Sequence, residues 1–162
     1  MLEIHPTARI SKMADIEDYV RGTRIVISEN VVIDSFVKIK PVGGVGDLII
    51  GSNTFINSGC VIYTGNGICI GQSVAVAANC TFAPVNHEYL RKDVFIVKQG
   101  FRHSKGGIVI GDDVWIGANC VILDGAIIGD GCVVAAGSIV RGMLDGNGIY
   151  GGSPLVKLGV RK

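Results

Sequence analysis

Residues 107–140 carry the pattern that decides the fold, and they read GIVIGDDVWIGANCVILDGAIIGDGCVVAAGSIV. Aliphatic side chains recur every six residues along this stretch, at Ile110, Ile116, Ile122, Ile128, Val134 and Val140. Four places after each of the first five stands a small or modest side chain: Val114, Cys120, Ala126, Cys132 and Ser138. A helix has a period near 3.6 and a simple strand a period of 2, so neither accounts for this spacing. A short strand followed by a corner does.

The repeat therefore predicts a parallel β-solenoid. Each repeat supplies one flat face whose aliphatic residue points inward, and the small residue packs near the corner, where space is tight. Three faces close one coil of about 18 residues, and successive coils stack as parallel strands roughly 4.8 Å apart.

The same count runs through most of the chain, with interruptions. Its earlier inward positions are Ile4, Ile10, Ile16, Ile27, Ile33, Ile39, Ile50, Ile56, Ile62, Ile70, Val76 and Phe82, and its first small positions are Ala8, Ala14 and Val20. The longest interruption, residues 88–107, is rich in charge and leaves the register unchanged, which indicates an excursion loop from one corner. The repeat is predicted to end at Val140, which leaves residues 142–162 as a short C-terminal tail.

Length and composition favour one all-β domain over residues 1–162. The chain is 48% hydrophobic but only 6% aromatic, so the core is aliphatic, and the 24 glycines fit tight corners. A formal charge of +1 gives no reason to expect nucleic acid as a partner. Neither a leader nor an apolar run of membrane-spanning length is found, so the sequence predicts a cytoplasmic protein without membrane insertion.

The five cysteines are an odd number without a CxxC pair, which argues against a disulfide framework. Cys60, Cys80, Cys120 and Cys132 occupy small corner positions and are predicted to fill the core, whereas Cys69 stays unassigned.

The hexapeptide run, with IGDDVWIGANCVI at 110–122 and AAGSIV at 135–140, resembles the left-handed β-helix acyltransferases. Within them it is similar to the sugar O-acetyltransferases of the maltose, galactoside and polysaccharide type. The resemblance covers nearly the whole chain. It implies left-handed coils, an exception to the usual right-handed crossover, and acyl transfer from acetyl-CoA to a hydroxyl or an amine without a metal. It also implies a homotrimer with active sites between subunits.

The resemblance assigns the general base to His87, which precedes the excursion loop as the family's catalytic histidine does. A neutral imidazole suits the removal of a hydroxyl proton near pH 7. The chain has two other histidines: His103, inside the loop, is expected to be solvated, and His5 to be structural. Asn57, 30 residues before His87, matches the family's acceptor-binding asparagine. By face count, Asn57 and His87 lie on different corners of one prism.

Five further residues are implied to contact the coenzyme. Ala118 and Ala136 stand 18 residues apart and so stack, as the family's small residues along the pantetheine groove do. Trp115, expected at an outer corner, matches a tryptophan beside the coenzyme. Arg141 and Lys157 are expected at its phosphates, with Arg161 and Lys162 as other basic candidates, because the segment after the last repeat departs from the family's usual pattern.

Several readings remain open at this point. The leading one is O-acetylation of a sugar, in surface polysaccharide synthesis or sugar metabolism, and N-acetylation of an amino-sugar nucleotide is the alternative. A zinc carbonic anhydrase on the same fold needs three histidine ligands, but the three here are scattered. A solenoid used only as an assembly or capping element is the non-enzymatic alternative. The acceptor is not identified by the sequence.

Overall fold

A computed structural model describes residues 1–18 and 22–162, so the predicted small position Val20 lies outside the described residues. Before the excursion the strands are β1 Leu2–Ile4, β2 Arg9–Ile10, β3 Asp15–Ile16, β4 Ile25–Ile27, β5 Val32–Ile33, β6 Lys38–Lys40, β7 Leu48–Ile50, β8 Phe55–Ile56, β9 Val61–Tyr63, β10 Ile68–Ile70, β11 Ala75–Val76 and β12 Thr81–Ala83. After it come the short helix α1 Ile96–Gln99 and β13 Ile108–Ile110, β14 Trp115–Ile116, β15 Val121–Leu123, β16 Ile127–Ile128, β17 Val133–Val134, β18 Ile139–Val140, β19 Met143–Leu144, β20 Gly148–Gly151 and β21 Val156–Val160.

Every third strand joins the same sheet, so the chain winds around three flat faces. The first sheet runs from β1 to β19, the second from β2 to β20, and the third from β3 to β18. All pairs along these stacks are parallel, and Ile110 pairs with Ile128, 18 residues further on. We call the bend from the second sheet to the third the second corner, and the bend from the third sheet back to the first the third corner. The predicted parallel solenoid is confirmed.

The core is a column of aliphatic side chains inside the three sheets. Inward residues such as Ile116, Ile122 and Val134 are fully buried, and so are the small residues Cys120 and Ser138. Each layer repeats the one below, because a strand whose side chains alternate between faces presents the same inward position in every coil. Full burial of an isoleucine contributes roughly 1.5–3 kcal/mol, so the stack is stabilised layer by layer.

The first coil departs from this pattern. Ile4 is 45% exposed, although the count makes it an inward residue. β1 pairs on one side only, with β4, so no coil covers the outer edge of this layer. The exposure of Ile4 is therefore a consequence of its place at the end of the stack.

The repeat does not end at Val140, as the sequence pattern predicts. β19 joins the first sheet with Leu144 paired to Ile128, and β20 joins the second with Tyr150 paired to Val134. Leu144 and Tyr150 are buried, so they extend the core by two more faces. The turn between β18 and β19 is shorter than in earlier coils, which shifts the count and hides this coil. β21 then turns back and pairs antiparallel with β20.

The corners explain the use of asparagine and cysteine. Asn79 and Asn119 adopt φ of 60° and 59° at the second corner, a region that asparagine tolerates better than most residues. Cys60, Cys80, Cys120 and Cys132 are buried and unpaired, which confirms them as core residues, whereas Cys69 is exposed. The Cys80 thiol donates to the Gly117 carbonyl at 3.2 Å, in the next coil. Burial raises the pKa of the Cys132 thiol, which disfavours a reactive thiolate there.

The excursion leaves the third corner after β12 and returns at β13, so it spans residues 84–107 and begins four residues before the predicted range of 88–107. Ile110 nevertheless pairs with Ile70, the residue directly below it. The prediction that the excursion leaves the register unchanged is confirmed. No helix in residues 1–18 and 22–162 has the length and apolar character needed to cross a membrane.

Candidate active site

His87 lies at the base of the excursion, where the two arms of the loop pair. It forms an isolated antiparallel bridge with Phe101. The flanking hydrogen bonds run from Glu88 N–H to Gly100 O at 3.0 Å and from Arg102 N–H to Asn86 O at 2.8 Å. His87 and Phe101 are thus a non-hydrogen-bonded pair, the kind whose side chains approach closely. Their ring centroids are 4.8 Å apart, so Phe101 supports one face of the imidazole while His87 itself stays exposed.

A polar cluster stiffens the loop beside the histidine. Glu88 Oε1 accepts the N–H groups of Tyr89 and Leu90 at 2.8 and 3.1 Å. The Leu90 and Tyr89 N–H groups, with the Arg102 charge, hold the pKa of the Glu88 carboxyl below its usual range. Arg102 lies 3.6 Å from Glu88 Oε2 and 5.2 Å from the centre of the Tyr89 ring. The two arms of the loop are therefore linked by an ion pair as well as by backbone hydrogen bonds.

A cleft of about 730 Å³ opens between this cluster and the third corner. We call it the excursion cleft; its lining includes Asn86, Glu88, Arg102, Lys105, Asp124 and Arg141. Asn86 and Glu88 are the two sequence neighbours of His87, so the cleft lies next to the backbone of His87, whose ring packs against Phe101. His103 also lines it and is exposed, as the sequence predicts.

Asp124 closes the excursion and was not singled out by sequence reasoning. Its side chain is only 6% exposed. Oδ2 accepts the Lys105 N–H at 2.8 Å and Oδ1 accepts the Gly107 N–H at 3.0 Å, so both oxygens hold the returning arm of the loop. In the sequence an Asp-Gly pair at a corner is typical of an ordinary turn. Only the burial of Asp124 in the structure distinguishes it from a turn aspartate on the surface.

Asn57 lies at the second corner, directly after β8, whereas His87 follows β12 at the third corner. The prediction that Asn57 and His87 lie at different corners of the prism is confirmed. The Asn57 side chain donates through Nδ2 to the Val76 carbonyl in the next coil at 2.7 Å. The amide has a second N–H and a carbonyl oxygen beyond that bond, so it can still contact a ligand.

Ala118 and Ala136 stack at the second corner as predicted. The Gly137 N–H donates to the Ala118 carbonyl at 2.8 Å, which joins the two coils at this point. A Cβ on Gly117 would lie 2.5 Å from the Ala136 nitrogen, so the backbones pack too closely for a side chain there. The second corner therefore presents a narrow strip of small residues.

Trp115 is not at a corner, and that part of the prediction is wrong. It lies within β14, on the outer face of the second sheet, between Ala75 of β11 and Val133 of β17. The inward residue of β14 is Ile116, so strand alternation places Trp115 outward. It is 53% exposed, on the face that leads to the Ala118 corner.

The basic residues near the C-terminus differ in their surroundings. Lys157 lies 3.3 Å from Asp145 and 5.7 Å from the centre of the Tyr150 ring, and the hydrogen bond to Asp145 raises its pKa. Arg161 is held by Asp113 at 2.8 Å. Arg141 follows β18 at the third corner, lines the excursion cleft, and forms no ion pair with any residue of the described ranges.

Within one chain the predicted site is therefore divided between two corners. Asn57, Ala118 and Ala136 lie at the second corner, with Trp115 on the face before it, and His87 and Arg141 lie at the third. Lys157 is on β21. His5 is remote, in the first coil, where Nδ1 lies 2.9 Å from the Thr7 hydroxyl. Across residues 1–18 and 22–162, no group of three or more His, Cys, Asp or Glu side chains could hold a metal ion.

Comparison with known proteins relates the repeat to a class of transferases. The bacterial transferase hexapeptide (six repeats) family matches residues 107–142. Galactoside O-acetyltransferase of Escherichia coli strain K12 is 38% identical over 109 residues, which make up 65% of this chain and 50% of that protein. The chain spans about half the length of the curated relatives it matches.

Solved structures extend the similarity over more of the chain. A variant of AntD, an N-acyltransferase from Bacillus cereus crystallised with dTDP and coenzyme A, has a TM-score of 0.82 at 26% identity, covering 99% of this chain and 84% of that one. A hexapeptide-repeat acetyltransferase from Vibrio cholerae O1 biovar eltor, complexed with acetyl coenzyme A, has a TM-score of 0.66 at 27% identity, covering 87% and 72%.

The fold and its repeat define a hexapeptide-repeat protein of the left-handed β-helix class. The chain is therefore similar to the bacterial hexapeptide transferases over residues 107–142, and to acetyltransferases and an N-acyltransferase over larger parts of its length.

Proposed function

We propose that this chain transfers an acetyl group from acetyl-CoA to a hydroxyl of a sugar, with His87 as the general base. The observation that carries the proposal is the exposed His87 imidazole, held against Phe101 at the base of the excursion, between two residues that line the cleft, Asn86 and Glu88. The galactoside O-acetyltransferase of Escherichia coli supports the hydroxyl as nucleophile, because it is 38% identical over the matched region. A surface polysaccharide or its precursor is the substrate class that we favour.

In the proposed reaction the His87 imidazole takes the proton from the acceptor hydroxyl as the oxygen attacks the thioester carbonyl carbon. The carbon–sulfur bond then breaks, and the imidazolium returns the proton to the departing thiolate. An uncharged hydroxyl is a weak nucleophile without such a base. One base serves both proton transfers, so the site needs no second titratable group at the reacting atoms.

N-acetylation of an amino-sugar nucleotide is the second candidate. It is favoured by AntD, whose crystallised variant covers 99% of this chain with a TM-score of 0.82 and is an N-acyltransferase bound to dTDP. A protonated amine also needs to lose a proton before it attacks, so the same histidine serves either reaction.

We propose that acetyl-CoA lies along the small residues of the second corner, Ala118 and Ala136, beside Trp115. Of the two basic residues expected at the coenzyme phosphates, Lys157 would first have to leave Asp145, and Arg141 lies at the third corner, in the lining of the excursion cleft. The five unpaired thiols are consistent with a reducing, cytoplasmic compartment.

We also propose a homotrimer, because it would bring unlike corners of different chains together. Outward side chains form apolar ladders on two faces, and Phe55, Trp115, Val109 and Ile127 are all more than 40% exposed. Exposed patches of this kind mark interfaces. Cyclic closure would make the three sites equivalent, each with one second corner and one third corner.

Acetyl-CoA binding separates an enzyme from a scaffold. We expect saturating acetyl-CoA to raise the melting temperature of the protein, since a ligand that binds only the folded state stabilises it. Free thiol should then be released in the presence of sugar acceptors, with hydroxyl and amino sugars screened side by side. A protein whose melting temperature does not change, and which releases no thiol with any acceptor, would be a scaffold.

The groove is tested by Ala136→Tyr. A bulky ring on this exposed corner residue should obstruct the coenzyme, so we expect the KM for acetyl-CoA to rise at least about tenfold while the KM for the acceptor changes little. Steady-state kinetics with each substrate varied in turn give both values. If the acceptor KM rises instead, the second corner holds the acceptor rather than the coenzyme.

A further inference from the structure

The two carboxylates that line the excursion cleft, those of Glu88 and Asp124, both accept hydrogen bonds from the protein itself. Both carboxylate oxygens of Asp124 accept hydrogen bonds, one from the Lys105 N–H group and one from the Gly107 N–H group. Glu88 accepts two backbone N–H groups and pairs with Arg102 at 3.6 Å. Arg102 is thereby paired with Glu88, whereas Asp124 is held by backbone N–H groups and has no cation partner within 4.0 Å in residues 1–18 and 22–162.

Two cations of the same cleft are unpaired. Neither Lys105 nor Arg141 lies within 4.0 Å of a carboxylate in residues 1–18 and 22–162. His103, also in the lining, can offer a ring N–H. An ammonium and a guanidinium in one concave site attract an anion more strongly than either does on an open surface.

Lys105 is held in place rather than free to move away. Its backbone N–H is bound by Asp124. Its side chain crosses Gly125, where an added Cβ would come within 2.8 Å of Lys105 Cβ and 3.6 Å of Cδ. The stem of Lys105 therefore lies across the third corner, in the coil directly below the one that carries Arg141.

We propose that the excursion cleft is an anion subsite, in which Lys105 and Arg141 bind a phosphate group of the acceptor and His103 adds an N–H donor. The inference rests on the proposed function and narrows its substrate to a phosphorylated or nucleotide-linked sugar. We favour the acceptor as the source of the phosphate because two residues of the cleft lining, Asn86 and Glu88, flank the proposed base His87 in the same chain. The coenzyme carries phosphates too, so the experiment must separate the two sources.

Inorganic pyrophosphate is the probe, and its binding to the full chain is measured by titration calorimetry at low ionic strength. We expect the wild-type protein to bind pyrophosphate and Lys105→Met to bind it at least about tenfold more weakly, the effect of losing one charge-assisted contact. Lys105→Arg should restore most of the affinity. Lys92→Met is the matched control, since Lys92 is an exposed cation of the same excursion outside the cleft, and it should bind as the wild type does.

The titration is repeated with desulfo-CoA at saturation, a coenzyme analogue without the reactive thiol. Undiminished pyrophosphate binding assigns the subsite to the acceptor. Displacement by desulfo-CoA assigns the phosphate to the coenzyme and overturns the proposal, as does the absence of wild-type binding or equal binding by Lys105→Met of unchanged melting temperature. A protein that binds pyrophosphate through Lys105 but binds neither acetyl-CoA nor desulfo-CoA would overturn the proposed function and keep the anion site.

Discussion

Replacing His87 with alanine is expected to lower turnover by a factor of roughly 10² to 10⁴, the usual contribution of a general base. The side chain is exposed, so its removal should change neither the melting temperature nor acetyl-CoA binding. The measurement is kcat by thiol release, alongside a thermal melt with and without acetyl-CoA.

His5→Ala is the matched control for this variant. It removes an exposed histidine from the first coil, far from the excursion in the stack of strands, and should leave kcat unchanged. A folded His87→Ala protein with near-normal kcat would remove His87 from the mechanism. The second titratable side chain to examine would then be His103, inside the cleft.

Mixing two inactive variants is expected to restore activity if the site is shared between chains. Asn57→Ala and His87→Ala proteins, unfolded together and refolded as an equal mixture, should regain about a quarter of wild-type activity, because random assembly of a cyclic trimer leaves about that share of sites with both residues. The physical reason is that Asn57 and His87 lie on different corners of one chain.

Each variant refolded alone provides the background for this experiment, and differently tagged chains allow the mixed trimers to be isolated. Mixed trimers that remain at background activity would show that Asn57 and His87 do not serve one site from different chains. Light scattering of the wild-type protein adds an independent check, since a monomer at micromolar concentration would contradict the assembly itself.

Much of the fold could be predicted because the six-residue period is a local consequence of strand geometry. Ile110, Ile116 and Ile122 face inward in three successive sheets, and each stacks on its counterpart one coil below. The excursion did not obscure this pattern, since Ile110 pairs with Ile70 despite the residues inserted between them. The six-residue spacing therefore predicts the inward residues and their stacking wherever a corner has its regular length.

Where a corner changes length, the six-residue spacing no longer predicts which residues face inward. The coil formed by β19 and β20 was missed because the turn after Val140 is short, so Leu144 and Tyr150 fall out of the count although they stack in register. Trp115 was placed at a corner although it lies within β14. A shift by one residue along a strand moves a side chain to the other face, so small errors of count have large consequences at such positions.

By itself the sequence determined the solenoid, the inward and small corner residues that repeat every six positions up to Val140, and the return of the excursion in register, because each of these follows from a regular interval along the chain. Only the tertiary structure decided which cations of the excursion cleft are unpaired and which carboxylate secures the loop. Asp124 and Lys105 meet through contacts between residues 19 places apart in the chain, across an interruption of the repeat. Such contacts depend on how the loop packs against the prism, and the six-residue repeat does not predict that packing.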